Sequence, residues 1–165
     1  MYRYLSCCLL LLFVCCSEPS DKDIEEAFQQ VNNEELWRHL EQMCHNDQRY
    51  RSLMSGLDKS SVDYQKKRDS LWSLQLEIDK HNTRWIIDFT KKNGFPSPDR
   101  TGKPIAAWVL LHHAPSQYHK KIKPLLEREF KAGRISQTTY GLVKWHINGR
   151  KGLPEGTGLQ IIDNR

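Results

Sequence analysis

Beyond residue 16 this 165-residue chain contains a single cysteine, Cys44, so its body has no internal disulfide to rely on. No convincing alternation of polar and apolar residues marks a strand before the tail, which sets sheet-based folds aside. No apolar run reaches the roughly 20 residues needed to cross a bilayer, and the longest spans only residues 5–14. Neither HExxH nor CxxC occurs, and His112 and His113 are adjacent, pointing about 100° apart on a helix. Spacing therefore offers no zinc site, and no metal or cofactor is expected. No internal repeat is visible. No complete set of nucleophile, base and orienting group can be picked out either, so the sequence names no reaction.

What is present begins with an address. Residues 1–16 carry one charge, Arg3, ahead of the apolar stretch, and end Leu12-Phe13-Val14-Cys15-Cys16-Ser17. This resembles a bacterial lipoprotein signal cleaved before a cysteine, with Cys16 the lipid-bearing residue and Cys15 the alternative. The acidic stretch 17–26 resembles the tether of a surface-displayed lipoprotein of the Bacteroidetes group. The resemblance implies a cell-envelope protein, lipid-anchored in the outer membrane of a Gram-negative bacterium. Cleavage would remove Arg3 and no acid, lowering the formal charge from +5 to +4. The expected organisation is a signal over 1–16, an acidic tether and short helix over 17–33, and a helical domain over 34–165.

The body reads as helices. Ile24, Phe28 and Val31 share one helical face, and Asn32 offers an N-cap before Glu34-Glu35. Leu36, Leu40 and Met43 continue the period to about Met54, and Gly56 closes that arm. Ser60 with Asp63 has the spacing of a capping box. A long helix follows from Tyr64 to Lys92, with a possible break near Asp79. The chain is organised around residues 93–115. Asn93-Gly94 stops the long helix, Phe95-Pro96 cannot continue it, and Pro98 keeps the chain extended. Pro104 then takes the first position of a helix over 104–114. Ser116 caps a helix to Gly133 that Pro124 kinks or delays, and Ser136 caps a last helix through Tyr140, Val143 and Ile147. The glycine-rich tail is irregular, with a short strand possible over 159–162. The expected fold is an all-α, single-domain helical bundle.

Few residues can carry chemistry. His113, at the end of the apolar run 105–111, is the candidate pocket residue, with His112 and His119 nearby. Asp47 and Arg51 stand four apart, the spacing of a helical ion pair that, if exposed, is worth only about 0.3–0.5 kcal/mol. Asp79 and Asn82 stand one helical step apart, and an inward Asn82 needs partners. Cys44 falls on an apolar pattern and reads as an inert buried thiol. The basic clusters 66–68, 91–92 and 120–123 read as solvated faces suited to anionic glycans or phospholipid headgroups; an exported chain rarely meets nucleic acid, and none is expected as a partner.

Asp47-Gln48 with Arg51, Asp79 with Asn82, Gly94-Phe95-Pro96, Gly102 and His112-His113-Ala114-Pro115 together resemble a bacterial family classified only as a domain of unknown function. Its pattern runs from an Asp-Gln-x-x-Arg-like segment through Asp-x-x-Asn, Gly-Trp-Pro and Gln-His-Ala-Asp to Asp-Arg and Tyr-Gly-Thr-Gln. This chain departs from it at Phe95, His112, Pro115 and His119, lacks the Asp-Arg pair near Lys144-Trp145, and matches the tail only in part at 155–158. The resemblance implies the helical fold and a shortlist of polar residues, with no activity. The first functional expectation is a membrane-anchored binding module with a groove near His113, its partner an envelope protein or anionic glycan, and Arg51, Asp79, His112 and His119 lining it. The second is a hydrolase-like enzyme with His113 as general base, oriented by Asp47 or Asn82. An immunity-type lipoprotein is the third, on size and address alone.

Overall fold

The computed structural model describes residues 18–158. Ser20 opens α1 (Asp21–Gln29) with a complete capping box, its hydroxyl accepting from the Asp23 N–H while the Asp23 carboxylate accepts from the Ser20 N–H. Asn32 caps α2 (Asn33–Ser55) through two backbone N–H groups. The longest helix, α3 (Tyr64–Asn93), ends at Gly94, whose φ of +75° only glycine adopts without strain. A Cβ there would also collide with Arg100, Arg134 and Ile24. After it come α4 (Pro98–Thr101), α5 (Trp108–His112), a 3₁₀ turn (Ser116–Tyr118), α6 (His119–Lys131) and α7 (Gln137–Ile147). Among the described residues there is no strand, and the fold is an all-α single-domain bundle with an irregular segment after α7.

The core joins all the longer helices. Leu36, Leu40 and Met43 of α2 meet Ile86 and Ile87 of α3, and Leu110 and Leu111 of α5 pack with Ile122 and Leu126 of α6 and Val143 of α7. Each such side chain contributes about 1.5–3 kcal/mol by leaving water. Ile24 of α1 is fully buried against this body. The exposed outer halves of α2 and α3 form an arm past Asp47 and before Gln75, where Leu53, Val62, Trp72 and Leu74 face solvent.

Several local expectations are corrected. The α3 helix runs unbroken through Asp79, because the polar groups there find partners across the bundle. Ser60 does not cap it: its hydroxyl turns back to Asp58, and Asp63 precedes the helix without a side-chain cap bond. Pro98 does not extend the chain but starts α4, since the extended restraint falls on the residue before a proline, here Ser97. Pro104 starts no helix. Gly102 is left-handed, Thr101 Oγ1 accepts from the Lys103 N–H, and helical geometry resumes only at Trp108. Ser116 opens a 3₁₀ turn, and α6 begins at His119 with Pro124 inside it. The lipoprotein signal with Cys15 and Cys16, and the possible strand over 159–162, lie outside the described residues.

Candidate functional site

The periodicity of α2 turns Asp47 inward with Leu40 and Met43, leaving it 1% exposed. A bare carboxylate in that position would be very costly, so it must be paired. Its partner is His113, which caps the C-terminus of α5 and places Nδ1 2.8 Å and 3.0 Å from the two Asp47 oxygens. A carboxylate can only accept, so Nδ1 carries the proton and Nε2 is the basic nitrogen. Gln48 Nε2 donates a further bond of 2.6 Å to Asp47. Among the described residues nothing hydrogen-bonds His113 Nε2, and the side chain is about one-fifth exposed.

Arg51, one turn along α2, does not behave as an exposed partner of Asp47. Asp47 is buried and Arg51 partly so; the Arg51 Nε lies 3.7 Å from Asp47, and its Nη2 instead bonds both oxygens of Asp79 at 2.8 Å, tying α2 to α3. Gln75, fully buried one turn before Asp79, donates 2.8 Å to the same carboxylate. Burial pushes the Asp79 carboxyl above the usual carboxylate range, with Asp47 adding to the rise and Gln75 and Arg51 opposing it. Asn82 faces inward and donates to the Met43 carbonyl at 3.3 Å, with no bond to His113 among the described residues. The structure thus brings together Asp47, His113, Arg51 and Asp79, and assigns Asn82 to stapling α3 onto α2.

His112 reaches toward α7, its ring edge-on to that of His113 at 5.4 Å. Its ring lies 4.7 Å from that of His146, whose ring lies 5.5 Å from that of His119. His119 Nε2 bonds the Ala114 carbonyl. Cys44 is partly buried, and desolvation, with the Asp47 charge adding to it, raises its thiol to about 11, so it is no nucleophile at neutral pH.

Three participants escaped the sequence reading. Gln75 lies on the inward stripe of α3 with Asp79, Asn82 and Ile86, and a polar residue in an apolar stripe was the available signal. Glu129 lies likewise on the stripe of Ile122, Leu125 and Leu126, and it anchors a second polar centre with Arg128 and Arg134. His146 gave no local signal, because its partners come from α5 and α6.

Two carboxylates, Asp47 and Asp79, flank a single guanidinium beside the His113 imidazole, so acids outnumber fixed cations in the site. It suits neutral or cationic groups and repels anions. A cleft of about 400 Å³ lined by Phe95, Pro98, Trp108, Ile135 and Thr139 lies elsewhere, with neither His113 nor the site carboxylates in its walls. Among the described residues no three His, Cys, Asp or Glu side chains converge to hold a metal ion. Comparison with family models, with curated proteins and with solved structures gives no match to this chain.

Proposed function

We propose that this is a lipid-anchored cell-envelope protein whose His113 acts as a general base in a hydrolytic reaction on a neutral or cationic substrate. The observation that carries the reading is the carboxylate-held imidazole: Asp47 fixes Nδ1–H and leaves the Nε2 lone pair unbonded. Nε2 takes a proton from water as the water oxygen bonds the substrate's acyl carbon, Asp47 stabilises the imidazolium that forms, and the imidazolium returns that proton to the leaving oxygen as the acyl–oxygen bond breaks. Water is the nucleophile, since no serine, threonine or cysteine among the described residues bonds His113. Arg51 and Asp79 hold the neighbouring turn of α2 in place.

With p-nitrophenyl acetate as a generic neutral ester, His113→Gln is expected to lose about 10²-fold or more of the turnover. A folded variant hydrolysing the ester at the wild-type rate, or a wild type no faster than buffer, overturns the enzyme reading. The anchor is tested apart from it. Cys16→Ala is expected to abolish incorporation of labelled palmitate and release the protein from the membrane fraction, and an unlabelled wild type would refute the anchor.

A second reading, a binding module for an envelope protein or anionic glycan, draws on Lys120, Lys121 and Lys123, all exposed and without an ion-pair partner among the described residues. In this reading an anionic glycan binds the lysine face rather than the acidic surroundings of His113.

A further inference from the structure

The three-histidine cluster between α5, α6 and α7 is not used by the proposed reaction. Its rings meet across the helices: that of His146 on α7 lies 4.7 Å from that of His112 on α5 and 5.5 Å from that of His119 on α6, and His119 Nε2 bonds the Ala114 carbonyl just past α5 at 3.1 Å. One nitrogen of His146 is telling. Nδ1 accepts from Arg150 Nε at 3.1 Å, so it carries no proton. That bond holds a turn in which Arg150 adopts φ +59°, a left-handed conformation unfavourable for an arginine. Trp145 Nε1, bonded to the Gly152 carbonyl, holds the other side of the turn. On His112 the corresponding Nδ1 is buried with no hydrogen-bond partner among the described residues.

We propose that this cluster is an acid-operated latch, which clamps the last turn of α7 and the 149–152 turn onto α5 while its imidazoles are neutral and releases them on protonation. A proton on His146 Nδ1 removes the acceptor of Arg150 and sets an imidazolium against a guanidinium. A proton on His112 Nδ1 is buried without an acceptor. The basic groups facing the cluster are Arg150 beside His146 and His112, His113 from α5, His119 from α6 and Arg51 from α2, and the Asp47 carboxylate lies behind His113, which it bonds. Among the described residues no carboxylate bonds His112, His119 or His146, so nothing there compensates an added positive charge.

Desolvation first, then His112 and Arg150, lowers the pKa of His146 to about 4, against 6.5 for the free side chain. His112 is lowered for the same first reason, with His113 and Arg150 adding to it. The sign follows directly. The closed form binds fewer protons than the open one, so the latch is at full strength above about pH 6.5 and weakens as the pH falls toward about 4. An envelope protein meets the external pH, which makes such a device usable.

Hydrogen exchange of the full-length protein in detergent tests this, with rates corrected for the intrinsic effect of pH. Between pH 7 and pH 4.5, amides of the 144–152 segment are expected to lose about tenfold or more of their protection, while those of α3 keep theirs. His146→Gln keeps an acceptor for Arg150 that takes no proton, and it is expected to suppress that loss. Unchanged protection at pH 4.5, an equal loss in His146→Gln, or a loss shared by α3 would each overturn the latch.

Discussion

Glu129→Gln is expected to destabilise the bundle by about 3–5 kcal/mol, the cost of removing one partner from a buried ionic network. Glu129 is fully buried. Its carboxylate accepts from Arg134 Nε at 2.7 Å and Nη2 at 3.0 Å, from Arg128 Nε at 2.8 Å, and from the Phe95 N–H at 2.7 Å. A glutamine of the same shape offers one acceptor oxygen and turns an NH₂ toward donors. Arg134, only 4% exposed, would then keep just its partners on α1, Asp21 and Glu25, both at the surface. For a domain of this size the loss corresponds to a fall in Tm of about 10 °C, read by thermal denaturation followed at 222 nm. Asp21→Ala is the internal control, because that carboxylate is 68% exposed and is worth at most about 1 kcal/mol. A Glu129→Gln protein melting within a few degrees of wild type would show that the centre does not hold the fold.

Asp47→Asn is expected to lower turnover by about 10²–10⁴-fold with little change in KM, if His113 is the base proposed above. The carboxylate can only accept, so it holds the proton on Nδ1 and leaves Nε2 basic. An asparagine can present its NH₂ to Nδ1 instead, which places the proton on Nε2, where it blocks proton abstraction. It also withdraws one of the two negative charges that flank Arg51. Because the two residues act as a unit, the double variant with His113→Gln is expected to be no slower than His113→Gln alone. Losses that multiply in the double variant, or an Asp47→Asn enzyme with wild-type turnover, would separate Asp47 from the chemistry.

Both predictions concern polar residues placed where the helical pattern calls for apolar ones, and that determines how each could be read in advance. Asp47, Arg51, Asp79 and His113 were legible because they are chemically conspicuous and fall at helical spacings. Their true pairing was not. Asp47 and Arg51 have the spacing of a local ion pair, yet the better geometry joins Arg51 to Asp79, 28 residues away, and Asp47 to His113, 66 residues away. Residue identity cannot decide between a neighbour one turn along and a partner on another helix; burial decides it, by removing water as the alternative partner.

The sequence by itself determined the helical class, the N-caps at Asn32 and Ser136, the stop at Asn93-Gly94 and the apolar faces that form the core. These depend on interactions within a few residues: a side chain on a nearby N–H, a backbone angle open to glycine, and a 3.6-residue repeat. Tertiary structure alone decided where α5 begins, the Arg51–Asp79 bond, the Glu129 centre and the stack of His112, His146 and His119. Each of those joins groups distant along the chain, and its energy exists only after other helices have excluded water around it.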